Sequence, residues 1–191
     1  MEGHYKLLNI NNIKEYDVYL NSYDEAKINK FIKKEDQLRA IGSIILQKDY
    51  IQSKYQVSCY KNIIIQYTEF GKPFYKNLVY NVSHDSDLVI IVYSDSGSIG
   101  VDIMKYETKK ININHFTDYF SAREQLELTT NNFISYWCAK EAFVKALGIG
   151  ITIDMRTVEY VNQCVMYNNK SYKVNTIEIP QYYCVYILVK I

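Results

Sequence analysis

Three short stretches of this chain place titratable and small residues where chemistry can use them. The first is Asn81-Val82-Ser83-His84, read as the end of a strand and followed by the polar Asp85-Ser86-Asp87. A hydroxyl beside an imidazole in a loop after a strand suits an anionic ligand. A plain turn, with Ser83 and Asp85 satisfying backbone groups, is the competing reading. Adjacent residues rarely point at each other, which argues against a Ser-His nucleophilic pair.

The second stretch is Ile99-Gly100-Val101-Asp102-Ile103-Met104. Period-two alternation puts Ile99, Val101 and Ile103 on one face and Gly100, Asp102 and Met104 on the other. A carboxylate within an apolar strand is costly unless it is paired or binds a metal, and Gly100 lets a ligand or backbone come close beside it. The competing reading is a rim aspartate turned to water. The third stretch runs from Trp137 through Cys138, Lys140, Glu141 and Lys145 to Gly148. Tyr136, Ala139, Phe143, Ala146 and Leu147 form a helical core stripe, and Trp137, Glu141 and Lys145 line up four apart beside it. A solvated Glu–Lys pair accounts for that spacing but not for Trp137, whose size implies that part of the stripe is covered. A carboxylate, a cation and an aromatic in line can instead border a cleft.

The elements that must hold these side chains follow from patterning. A strand is expected over 5–10. Ser22 with Glu25 resembles a capping box, and Ile28, Phe31, Ile32, Leu38, Ile41 and Ile45 keep a helical period, so one long helix is expected to run to about Lys54. Strands are expected over 62–67, 78–81, 87–93 and 99–104, with Gly71-Lys72-Pro73 breaking the first two apart. Ser121 with Glu124 caps a short helix, and a second helix spans 132–147, ending at Gly148 where a left-handed residue is wanted. Strands over 157–162, 163–167, 172–177 and 183–190 close the chain, with Asn168-Asn169 as a tight turn. The order β-α-β-β-β, then β-α-α-β-β-β-β, indicates an α+β protein with helices on antiparallel sheets.

Composition narrows the classes. The formal net charge is +1, so no overall field would hold nucleic acid, and anion binding must come from a local cluster. Apolar runs are far shorter than the roughly 20 residues that span a bilayer. The start, Met1-Glu2-Gly3-His4-Tyr5-Lys6, lacks signal-peptide form. Four cysteines without CxxC spacing point to buried thiols in a reduced, cytoplasmic protein. The 20 tyrosines, with many Ile, Asn and Lys, read as coding bias and not as functional phenols.

Taken together, the stretches resemble the Sfp-type 4'-phosphopantetheinyl transferases, which show G-K-P, then N-x-S-H, then G-x-D-x-E, and later W-x-x-K-E-x-x-x-K-x-x-G. Here these stand as Gly71-Lys72-Pro73, Asn81-Val82-Ser83-His84, Gly100-Val101-Asp102-Ile103-Met104 and the Trp137 to Gly148 segment, in order and at matching spacing. A weaker match continues upstream through Lys34-Glu35-Asp36 to Arg39. The resemblance implies two similar α/β halves, 1–98 and 99–191, related by a pseudo-twofold axis, with coenzyme A in the cleft between them. It implies transfer of the 4'-phosphopantetheine group from coenzyme A to a serine of an apo acyl- or peptidyl-carrier protein, releasing 3',5'-ADP (a holo-acyl-carrier-protein synthase activity), by a monomer with no nucleic-acid or membrane partner. Asp102 and Glu141 would hold Mg²⁺, with Mn²⁺ as an alternative, and Glu141 would also serve as base. Lys72, His84 and Lys145 would contact phosphates, Lys27 and Arg39 the 3'-phosphate, and Ser83 would donate a hydrogen bond. Lys105, Lys109, Lys110 and residues 116–123 would form the carrier-facing rim, with a solvated loop of ordinary lysines as the competing reading. Met104 stands where the family pattern has a second acid, and a thioether is a poor Mg²⁺ ligand. Two alternatives stay open: a coenzyme A-binding paralogue with lost or weak turnover, and a metal-dependent phosphohydrolase. The carrier class (fatty-acid, polyketide or nonribosomal-peptide) is left undetermined.

Overall fold

In a computed structural model describing residues 3–106, 111–150 and 152–190, the apolar run that follows Asp87 forms the centre of the first sheet. Strand β1 (His4–Asn9), helices α1 (Ser22–Ile28) and α2 (Lys34–Tyr55), the short β2 (Gln66–Tyr67) and β3 (Pro73–Phe74), β4 (Val79–Asp85) and β5 (Leu88–Ser94) come first. They are followed by β6 (Ser98–Lys105), α3 (Ala122–Glu127), α4 (Phe133–Leu147), β7 (Glu159–Val161), β8 (Cys164–Tyr167), β9 (Lys170–Ile179) and β10 (Tyr182–Val189). One antiparallel sheet has the order β1-β5-β4, a second has the order β6-β10-β9-β8-β7, and β2 pairs with β3 alone.

β5 is apolar at every core position because both of its faces are covered. Val89 and Ile91 pack with Leu46 and Tyr50 of α2, while Leu88, Ile90 and Val92 meet Ile99, Val101 and Ile103 of β6. The opposite face of the second sheet, through Val165, Val174, Val185 and Ile187, packs on Phe133, Ala139, Ala142 and Phe143 of α4. The layers therefore run α2, first sheet, second sheet, α4, an α+β architecture. Gly100 of β6 sits directly under α4: a Cβ there would lie 2.0 Å from the Ala142 carbonyl oxygen and 2.2 Å from the Ala146 nitrogen. Any side chain at that position would push α4 off the sheet.

Three expectations need correction. The first helix is capped one residue earlier than the sequence suggests. Asn21 accepts from the Tyr23 and Asp24 amides while Asp24 accepts from Asn21 N, so the box is Asn21/Asp24 and not Ser22/Glu25. The single long helix is two, because α1 ends at Asn29 and tight Lys30→Lys27 and Phe31→Ile28 bonds turn the chain away. Ile32, which keeps the helical period, is 99% exposed, so periodicity counted a residue that meets no core. Over 62–67 only Gln66 and Tyr67 form a ladder, although Ile63 and Ile65 are buried by α2. The Ser121/Glu124 box, the left-handed Gly148 (φ 73°) and the Asn168-Asn169 turn (φ 47° and 60°) stand where expected.

Candidate functional site

The motif Asn81-Val82-Ser83-His84 lies inside β4 and not in a loop after it. Alternation therefore decides its roles: Asn81 and Ser83 are buried toward β6, and His84 is exposed on the other face. Asn81 Oδ1 accepts from Val101 N at 3.0 Å, tying β4 to β6 through a side chain. Two residues on, Ser83 Oγ donates to Asp102 Oδ1 at 3.0 Å. Asp102, 8% exposed, points from β6 toward α4 on the face shared with Gly100, as alternation requires.

From α4, Lys145 Nζ reaches Asp102 Oδ1 at 2.5 Å and Ser83 Oγ at 3.1 Å. Burial alone would lower the Lys145 pKa, but the Asp102 carboxylate, with Glu141 behind it, raises it above the ordinary lysine value. Glu141, one turn earlier on the same stripe, has a buried Oε1 with no hydrogen-bond partner among the described residues. Burial pushes its carboxyl pKa up, and Asp102 adds to the rise while Lys145 opposes it. A buried acceptor left open is costly and normally marks a missing partner. With Asp102 across the seam, that open oxygen fits a hard divalent cation, which takes oxygen ligands and needs only one or two protein carboxylates. Among the described residues no cluster of three or more His, Cys, Asp or Glu could hold a metal, so such an ion would rest on this pair alone.

His84 and Arg39 stand on the outer side. His84, exposed on β4, has its pKa lowered by desolvation, then by Lys145 and Arg39. Arg39 donates to the Ser86 carbonyl at 2.8 Å and to Asp36 Oδ1 at 2.5 Å, which leaves part of its fork free. Beside Lys145, a cleft of about 170 Å³ is lined by Phe70, Lys72, Pro73, Asn81, Val82 and Gly150, among others. Lys72 is placed differently from expectation. Its ammonium donates to Ser98 Oγ, the Ile99 carbonyl and the Ala146 carbonyl at 3.0–3.1 Å, which uses all three of its donors. Lys27 lies over the Tyr67 ring at 3.6 Å.

The expected rim is also altered. Phe116, Tyr119 and Phe120 pack around Trp137, which stacks on Phe133 at 6.0 Å. They cover the helix stripe, as the size of Trp137 demanded, and Phe120 is wholly buried. Lys105 is engaged by Asp87 at 3.3 Å, and Lys109 and Lys110 lie outside the described residues. Arg123, with its side chain 61% exposed, is the cation of this stretch that faces solvent.

Sequence reasoning expected buried thiols but missed the closeness of one to Asp102, and it missed how one turn is anchored. Cys138 sits three residues before Glu141 on α4, wholly buried; burial and the nearby Asp102 carboxylate push its thiol pKa up. The turn after His84 is anchored at both ends. Asp85 Oδ2 accepts from Lys105 N at 2.7 Å, and Asp87 accepts from Asn9, Lys105 and the Tyr182 hydroxyl, with the Tyr182 bond leading those that hold its carboxyl down to about 2. The polar Asp-Ser-Asp signal was visible, but its partners lie on β1, β6 and β10.

The arrangement is that of a protein with a buried aspartate and a half-buried glutamate faced by cations, suited to a phosphate ester together with its counter-ion. The family model described as 4'-phosphopantetheinyl transferase, N-terminal, matches residues 12–96. The model of the 4'-phosphopantetheinyl transferase superfamily matches residues 98–183, and the chain belongs to that superfamily. It is 30% identical over 164 residues to a phosphopantetheinyl transferase of Thraustochytrium sp., covering 74% of this chain and 57% of that protein. Identity to the 4'-phosphopantetheinyl transferase Sfp of Bacillus subtilis is 30% over 147 residues, covering 72% and 64%. The L-aminoadipate-semialdehyde dehydrogenase-phosphopantetheinyl transferase of Xenopus laevis is 27% identical over 172 residues, covering 78% and 57%. The chain thus matches less than two thirds of the length of each of these relatives.

Proposed function

We propose that this chain transfers the 4'-phosphopantetheine group of coenzyme A to a serine hydroxyl of an apo acyl- or peptidyl-carrier protein, releasing 3',5'-ADP. The observation that carries this reading is the unpartnered buried Oε1 of Glu141 facing Asp102 and Lys145 at the seam of β6 and α4. Family membership and the names of the relatives support it. The two halves, 1–98 and 99–191, would flank the cleft, with His84 and Arg39 contributed by the first and the acid pair by the second.

The scissile bond is a diphosphate, where negative charge crowds the phosphorus that an oxygen nucleophile must approach. Asp102 and Glu141 would hold Mg²⁺ or Mn²⁺. When bound, the ion offsets charge on the diphosphate oxygens and so makes the phosphorus attackable. Glu141 takes the proton of the carrier serine hydroxyl as its oxygen bonds to the phosphorus nearer the pantetheine. The bond to the 3',5'-ADP oxygen then breaks, and Lys145, held protonated by Asp102, steadies the departing charge. A Glu141 carboxyl raised by burial makes a stronger base than an exposed one. Ser83, whose one hydroxyl hydrogen goes to Asp102 while its oxygen accepts from Lys145, steadies that pair and would donate to a ligand only by releasing Asp102. His84 and Arg39 offer donors to phosphate. Lys27, over the Tyr67 ring, would have to leave that ring to meet the 3'-phosphate. Met104 favours a second reading, a coenzyme A-binding protein with weak turnover, because it removes an oxygen ligand from the acid pair.

Intact mass of several apo-carriers incubated with the protein, coenzyme A and Mg²⁺ tests this. Gain of the phosphopantetheine mass by at least one carrier is expected. Coenzyme A binding without mass gain on any carrier would favour the second reading, and coenzyme A breakdown without an acceptor would favour a phosphohydrolase.

A further inference from the structure

Lys72 differs from the other cations of the cleft because no charged group faces it; burial alone lowers its pKa, to about 8. Its three acceptors are neutral oxygens from two elements: Ser98 Oγ at 3.1 Å and the Ile99 carbonyl at 3.1 Å on β6, and the Ala146 carbonyl at 3.0 Å on α4. The Ala146 carbonyl is one of the last four that α4 cannot satisfy internally, at the end of the helix where positive charge is favoured. Ser98 Oγ donates to the same carbonyl. Gly148 makes room for the lysine stem: a Cβ there would meet Lys72 Cδ at 3.2 Å. Residue 145, next to the pinned Ala146, is the lysine that sits on Asp102 and Ser83.

We infer that Lys72 is a positioning residue that pins the last turn of α4 to the start of β6 and thereby holds Lys145 against Asp102, and that it is not itself a phosphate contact. An ammonium whose three hydrogens are all donated inside the fold has none to offer a ligand unless it gives up the brace. The functional meaning of Lys145 rests on the transferase reading; the brace does not. The arrangement also accounts for a lysine in the short Gly71-Lys72-Pro73 turn, where β2 and β3 meet at Tyr67↔Pro73 and aim the side chain across the cleft at α4.

The test starts with ligand-free protein, acylated with an amine reagent and mapped by mass spectrometry. In the parent, Lys145 is expected to react slowly, because Asp102 holds it charged and in place. Lys72→Met should raise its labelling rate about tenfold, a coupling of ordinary size between residues in contact through a shared element, and Ser98→Ala should raise it less. Lys48 and Lys140, both wholly buried, report whether each variant is folded. If they become labelled in Lys72→Met, the Ser98→Ala protein, which loses two bonds and no charge, carries the decision. Unchanged Lys145 labelling overturns the inference. Coenzyme A affinity gives the second arm. Lys72→Met added to Lys145→Met should weaken binding no further than Lys145→Met alone, whereas fully additive losses would return Lys72 to direct ligand contact. A parent that fails to bind coenzyme A would defeat the functional reading and leave the labelling result to decide the brace.

Discussion

The molecule uses one device twice and makes chemistry from only one copy. In α1 and α2, Asn21 caps the short helix, Asp24 closes the box, and Lys48 of the long helix meets Asp24 at 2.6 Å with its side chain wholly buried. In α3 and α4, Ser121 caps, Glu124 closes the box, and Lys140 meets Glu124 at 2.6 Å, again wholly buried. The residue after each lysine is an acid. Asp49 on α2 is hydrogen-bonded to Tyr19 and Tyr60, whereas Glu141 on α4 keeps a buried oxygen without a partner. The helix ends differ too: α2 stops at a left-handed Gln56, and α4 stops at Gly148 with Lys72 laid over it. A scaffold that satisfies its charges is structural; the copy that leaves one open and braces its end is poised for a ligand.

The largest effect that could break this comparison is at the two acids. Glu141→Gln is expected to lower transfer by about a thousandfold or more, roughly 4 kcal/mol in barrier, with the fold intact by circular dichroism. Asp49→Asn should leave turnover within a few-fold while costing about 1 kcal/mol of stability. Substantial carrier modification by Glu141→Gln would overturn the assignment of the base.

Next come the buried pairs. Lys48→Met and Lys140→Met each leave a buried carboxylate uncompensated, a loss of about 3–5 kcal/mol that urea denaturation can read. Lys140→Met should sit at the lower end, because Glu124 keeps two backbone donors, Ser121 N and Tyr160 N, where Asp24 keeps Asn21 N alone among the described residues. A reversed order would mean that the two devices are not equivalent.

A smaller change sharpens the view of the open acid. Met104→Glu adds an oxygen on the face of β6 that carries Asp102, and should tighten apparent Mg²⁺ affinity about tenfold. An unchanged titration would show that Met104 stands outside the cation's reach.

The smallest effect concerns the braced end. Lys72, at about 8 in the folded protein, lies below the ordinary lysine value of 10.5. The unfolded chain therefore holds more protons between those values, and stability contributed at this residue rises with pH across that window. The parent should gain on Lys72→Met in denaturation midpoint from pH 8 to 10; parallel curves would show that Lys72 is not buried as described.

Much of this was legible in the chain. Alternation in 99–104 assigned the faces of β6 correctly, since a pleated strand leaves no choice once Ile99, Val101 and Ile103 are committed to a core. The same rule failed on Asn81 to His84 only because the strand was ended too early, and the cue lost was that a polar Asn and Ser can face inward when another strand supplies partners. The break between α1 and α2 was hidden for the opposite reason: Ile28, Phe31 and Ile32 keep a helical period, yet nothing packs over Ile32.

By itself the sequence determined the α+β order, the caps at Ser121 and Gly148, the strand face that Asp102 shares with Gly100, and the acid and cation stripe on α4, because each rests on spacing within one element. The tertiary structure alone decided which charges stay open. Whether Asp102 meets Lys145, whether Glu141 keeps a free oxygen and whether Lys72 points at a ligand or at the end of a helix all depend on partners far away in the chain. Burial and hydrogen bonding are properties of the assembled neighbours, and no local pattern carries them.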